Sequence, residues 1–98
     1  MGKKEDYIAK LNSQLKAWGV EIDRLSENAE RAALEHRTKL LREITEFKAR
    51  RLEAQLKLRQ FGETSGDAWE LLTEGMDKAW AEMKETVGQI AEKLKQPR

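Results

Sequence analysis

The stretch Phe61-Gly62-Glu63-Thr64-Ser65-Gly66-Asp67-Ala68-Trp69 constrains this chain more than any other, because a helical run must reverse there. Residues 4 to 61 before it are rich in helix formers, and residues 66 to 95 after it form a second, shorter helical run. Gly62 follows a periodic apolar residue, where helices often end in a left-handed conformation that glycine adopts without steric penalty. Thr64 reads as an N-cap and Asp67 as the acidic partner of a capping box, with Gly66 between them. Asp67 and Glu70 also suit the positive end of a helix dipole. A loop this short between helices predicts antiparallel neighbours.

The expected fold is therefore all-α and a single domain over residues 1–98. A long helix spans about 4–61, a turn 62–65, and a shorter antiparallel helix about 66–95. Charged residues make up 38% and hydrophobic ones 39%, with one proline and no alternating pattern, which favours long helices over a layered core.

Within the first run, Ile8, Leu11, Leu15, Trp18, Ile22, Leu25, Ala29 and Ala32 are spaced by alternating threes and fours, the heptad rhythm of a coiled coil. Ala32, His36, Leu40 and Ile44 then step by fours, and Phe47, Arg51, Ala54, Leu58 and Phe61 resume the alternation. The slip near His36 predicts a local relaxation of supercoil within one continuous helix of about 90 Å. The alternative is a three-helix bundle with an extra turn near residues 30–37. Against it, residues 30–37 contain no Gly or Pro, and only Ser26 and Asn28 nearby weaken the helix.

The last run steps differently. Trp69, Leu72, Met76, Trp80, Met83, Val87, Ala91 and Leu94 form its stripe, and the Ala-Trp pair recurs as Ala68-Trp69 and Ala79-Trp80. An eleven-residue period favours a straight path. Ile90 and Ala79 widen the face, so more than one neighbour is expected. Pro97 carries no structural demand.

Charge suggests which runs pair. Residues 1–32 balance at 0, residues 33–62 carry +4, and residues 63–98 carry −3. The expected hairpin lays the acidic tail on the basic middle, burying Leu40, Ile44, Phe47, Leu58 and Phe61 against Trp69, Leu72, Met76, Trp80, Met83, Val87 and Leu94. The neutral first third then lacks a partner inside the chain. Its seam (Ile8, Leu11, Leu15, Trp18, Ile22, Leu25) predicts self-association, a dimer or a higher homo-oligomer. An unidentified protein partner also fits such a surface.

The sequence offers little to catalysis. It has no phosphate-binding glycine loop, no nucleophile elbow, no paired metal ligands and a single histidine, so no cofactor, metal or catalytic residue is assigned. His36 reads as a tolerated polar seam residue rather than a pH switch. Arg51 is expected to snorkel outward or to pair with an acid of the last helix. Gly19, beside Trp18, either permits a close neighbour or is an ordinary weak point in a helix, and the second reading is preferred.

The basic residues Arg37, Lys39, Arg42, Lys48, Arg50, Arg51, Lys57 and Arg59 form no single face, and an overall charge of +1 gives no general pull toward nucleic acid. A rival reading is an amphipathic protein lying on a lipid surface, but the acidic last third disfavours anionic lipid. No apolar run approaches membrane-spanning length, no secretory segment follows Met1-Gly2-Lys3-Lys4, and cysteine is absent. The expected location is the cytoplasm.

The segments Tyr7-Ile8-Ala9-Lys10-Leu11, Gln14-Leu15-Lys16-Ala17-Trp18 and Glu21-Ile22-Asp23-Arg24-Leu25 at one end, and Ser65-Gly66-Asp67-Ala68-Trp69-Glu70 with Gly75 and Ala79-Trp80 at the other, resemble the opening and closing segments of small bacterial coiled-coil proteins of uncharacterised function. Gly19 departs from the acidic residue expected at that place. The resemblance implies bacterial origin and helical association, and carries over no catalytic residue. The function expected is a non-enzymatic scaffold or adaptor acting through helix–helix contact, with the lipid-surface role as the alternative.

Overall fold

The apolar seam of the first third needs cover, and the chain supplies it by turning back on itself at residues 31–33. In a computed structural model describing residues 2–95, helix α1 runs Lys3–Glu30, α2 runs Leu34–Gly62, a short 3-10 helix runs Ala68–Leu72, and α3 runs Thr73–Lys95. Pro97 lies outside the described residues. No strand occurs among them, and the all-α class holds. The continuous helix over 4–61 is corrected: the molecule is the three-helix bundle held as the alternative, 52 Å in its longest dimension.

Burial explains the break. Along an unbroken helix, the stripe between Leu25 and Leu40 would offer only Ala29, Ala32 and His36. Folding back instead removes Leu11, Leu15, Ile22 and Leu25 from water. At roughly 1.5–3 kcal/mol per large aliphatic side chain, that gain outweighs the few helix-end groups left to be re-bonded. Two of those groups are re-bonded locally, with the Arg31 and Ala32 amides donating to the Asn28 and Ala29 carbonyls at 3.1 Å. No residue of this turn takes a positive φ, so no glycine is required.

The contacts define the sense of each helix. Ile8 lies beside Gly62 and Trp18 beside Phe47, so α1 and α2 are antiparallel. Lys93 reaches Glu43 from α3, making α2 and α3 antiparallel, while Tyr7 and Leu11 meet Asp77 and Trp80, making α1 and α3 parallel. Among the described residues the buried set is wholly apolar, and Phe47, Phe61, Leu15, Ile22, Leu40, Ile44 and Ile90 are its most enclosed large side chains.

The second turn lies where expected but is built differently. Gly62 remains helical, and the helix ends on Glu63 in a right-handed conformation. Gly66, at φ 63, is the left-handed residue. Thr64 does not cap the next helix, because its hydroxyl donates back to the Gln60 carbonyl at 3.2 Å. Asp67 precedes the 3-10 helix without a side-chain cap, so the Thr64–Asp67 capping box does not form. The competing reach back to Gln60 explains its loss: a short hydroxyl at a helix end bonds whichever backbone group lies nearest.

Candidate interaction surface

All six residues of the expected self-association seam face the interior of the bundle. Leu11, Leu15, Ile22 and Leu25 are buried, and Ile8 and Trp18 pack half-buried against them. The premise that the first third lacks a partner within the chain is therefore corrected, since α2 and α3 both cover it. In the hairpin set, Leu40, Ile44, Phe47, Leu58, Phe61, Met76, Trp80, Met83 and Val87 are buried, with Trp69 and Leu94 packed at the edge. Leu72 departs from the expectation and is 45% exposed. In a 3-10 turn Trp69 and Leu72 share one face, and Trp69 takes the covered place against Tyr7 and Phe61 while Leu72 is left at the edge of the helix pair, beside Met76.

Charge plays less part in the pairing of α2 and α3 than expected. Among the described residues they share one ion pair, Lys93–Glu43 at 2.6 Å, in which α3 supplies the base and α2 the acid. That polarity is opposite to the net charges of the two segments. A half-exposed pair of this kind contributes little, typically under 1 kcal/mol, so apolar packing holds the hairpin.

Polar side chains instead tie the helices through backbone carbonyls. The indole N–H of Trp80 donates to the Leu11 carbonyl at 3.2 Å inside the core. Tyr7 donates from α1 to the Thr73 carbonyl and to the Asp77 carboxylate. Burial, with the Asp77 carboxylate accepting its hydrogen bond, pushes the Tyr7 phenol above its ordinary value of 10.0. His36 sits half-buried with Nε2 3.3 Å from the Lys93 carbonyl.

Arg51 reaches α1 rather than an acid of α3, and its Nε donates to the Leu15 carbonyl at 3.0 Å. The guanidinium lies over Gly19, where a Cβ would stand 2.7 Å from one terminal nitrogen. Glycine at 19 thus leaves room for the Arg51 head as a close neighbour.

Among the described residues, two grooves have large exposed apolar side chains at or near them. Leu71 is 84% exposed and Leu72 adjoins an open groove of about 310 Å³ between α2 and α3, formed mainly by Phe61, Gly75, Met76 and Ala79 with Lys57 at its rim. The other is a groove of about 410 Å³ between α1 and α2, beside the exposed side chains Val20 and Leu52. Sequence reasoning missed both because it followed one stripe per helix. Leu52 and Leu56, one turn apart on the opposite side from Ala54 and Leu58, carried a readable second signal.

Compared with protein-family models, curated proteins and solved structures, the chain matches none. The basic residues of α2 divide between its flanks, with Arg50 and Lys57 toward α3 and Lys48 and Arg51 toward α1. No cluster of metal-binding side chains occurs among the described residues, and no helix there is long and apolar enough to cross a membrane.

Proposed function

We propose that this chain is a non-enzymatic helical scaffold or adaptor that associates with copies of itself in the cytoplasm. The observation that carries this reading is Leu71, a large apolar side chain left 84% exposed one residue before Leu72, which lines an apolar groove of about 310 Å³. On this reading the protruding leucine of one copy enters the hollow lined by Phe61, Met76 and Ala79 of another, and the exchange is reciprocal, as an isologous contact requires. Glu70 and Glu74 flank the knob and Lys57 rims the hollow, so the same docking brings opposite charges together. Self-association is thereby moved from the Ile8–Leu25 seam, which the bundle occupies, to the linker end of α3.

Sedimentation velocity from micromolar to millimolar concentration tests this reading. Assembly of the native chain, abolished by Leu71→Glu with the helical circular dichroism unchanged, is the expected result. A chain that stays monomeric throughout, or assembly that survives Leu71→Glu, overturns it. The lipid alternative would require the Trp80, Met83 and Val87 stripe to leave the core. Vesicle co-sedimentation with a shift in tryptophan emission would decide for that alternative and against the scaffold.

A further inference from the structure

We infer that the α1–α2 groove docks an acidic amphipathic helix of a partner protein. Only α1 and α2 residues line this groove, so it lies on the side of the bundle that α3 leaves open. Two antiparallel helices with an unfilled furrow between them offer the geometry of a fourth bundle position, and helix-in-groove recognition uses such furrows. Apolar anchors stand at the furrow and beside it: Val20 at 69%, Leu52 at 60% and Leu56 at 59% exposure. Leu52 and Leu56 are one turn apart on α2, the spacing at which a docked helix presents its own contacts.

Charge selects the partner. Lys16, Lys48 and Arg51 line the groove against a single acid, Asp23, and none of these three cations forms an ion pair among the described residues. Arg51 is the most informative of them. Its Nε is bound to the Leu15 carbonyl and its guanidinium is seated on Gly19, so the head is held in place at the groove before any ligand arrives. A fixed, half-buried guanidinium is well suited to a carboxylate, which it can meet with two parallel hydrogen bonds. An acidic helix with an apolar stripe satisfies both features together, whereas a basic helix would set like charges against Lys16, Lys48 and Arg51.

The test uses the full chain and two synthetic helical peptides with identical leucine heptads, one bearing glutamate and the other lysine at the flanking positions. Isotope-labelled protein is titrated with each, and amide and methyl shifts are followed at Val20, Leu52 and Leu56. The expected result is binding of the glutamate peptide roughly tenfold or more tighter than the lysine peptide, weakening as salt is raised. Lys16→Glu with Lys48→Glu reverses the preference, and Leu52→Ser with Leu56→Ser abolishes binding, both pairs being solvent-exposed and compatible with the fold. Equal affinity for the two peptides overturns the inference, as does binding that survives the serine variant. So does the absence of shifts in the groove, shifts there that depend on the chain's own concentration, or shifts produced there by phosphatidylglycerol vesicles and by neither peptide. The Leu71→Glu variant leaves peptide binding intact, so this inference and the self-association reading fail separately.

Discussion

The two ends of the bundle hold the chain by different means. At the linker end, the rings of Tyr7, Phe61 and Trp69 meet at centroid distances of 5.5 to 6.5 Å, drawing α1, α2 and the 3-10 helix together. Lys4 adds a bond to the Thr64 carbonyl, and Gly66 supplies the one positive φ among the described residues. At the opposite end the reversal at 31–33 is closed by two backbone bonds. Small residues (Ala32, Ala33, Ala91) and the charged Arg24, Arg31 and Lys95 surround an open cavity of about 580 Å³ there. One reversal answers a local backbone demand. The other answers only the need of two distant stripes to cover each other.

If the aromatic end is the firmer of the two, removing its central ring should be the most damaging change. Phe61→Ala deletes a fully packed side chain and is expected to cost about 3–5 kcal/mol. Leu94→Ala, half-buried beside the open cavity, is expected to cost well under ~2 kcal/mol because part of that side chain is already wet. Urea denaturation of both variants measures the difference. Equal losses would dissolve the contrast between the ends.

The next effect concerns the turn itself. Gly66→Ala places a Cβ at φ 63 and is expected to cost about 1–2 kcal/mol, although no neighbouring atom lies within 4 Å of that Cβ. The loss is purely conformational, and a thermal melt registers it.

This pair of turns also explains how much was legible in the chain. The second reversal was readable because glycine marks backbone conformations that other residues avoid, although the marker at work was Gly66 and not Gly62. The buried faces were equally readable, since period alone places Leu15, Phe47 and Trp80 on core stripes. The first reversal left no local mark: Ala32, Ala33 and Leu34 are acceptable in a helix, and only the four-residue steps through His36 recorded the change of register. The neighbour that Gly19 makes room for was hidden for a related reason, because Arg51 lies on another helix. The exposed anchors Val20, Leu52 and Leu71 lay off the main stripes and needed the assembled bundle to stand out.

Tyr7 gives the aromatic end a chemical signature that the other end lacks. Tyr7→Phe keeps the ring and removes the bonds to Thr73 and Asp77, an expected loss of about 1 kcal/mol at neutral pH. The sign of its pH dependence follows from the raised phenol. The folded-state value lies above the ordinary 10.0, so the contribution is fully present below pH 10. As pH rises past 10 the unfolded chain ionises first and the contribution declines through the folded-state value. Denaturation at stepped alkaline pH should show this decline in the native chain and a flatter profile in Tyr7→Phe. Matching profiles would mean that Tyr7 is not held as described.

The smallest effect is the sharpest in sign. Ala33 stands at φ −59 and ψ 152, the extended conformation that the residue before a proline prefers, and Leu34 occupies the first position of α2. Leu34 is exposed, so replacing it removes no packing. Leu34→Pro is therefore expected to stabilise the bundle by about 0.4–1 kcal/mol, by narrowing the unfolded ensemble at a place already shaped for proline. In a continuous helix the same proline would lose an internal hydrogen bond and clash with the preceding turn, a cost of about 3 kcal/mol or more. A single substitution thus moves stability in opposite directions for a chain that reverses at 31–33 and for one that runs straight through, and a shift in the urea midpoint reads the sign directly. A loss of the larger size would restore the long helix and remove the cover from Leu11, Leu15, Ile22 and Leu25. Those residues would again form a free seam for self-association, and the groove beside Arg51 would have no second wall.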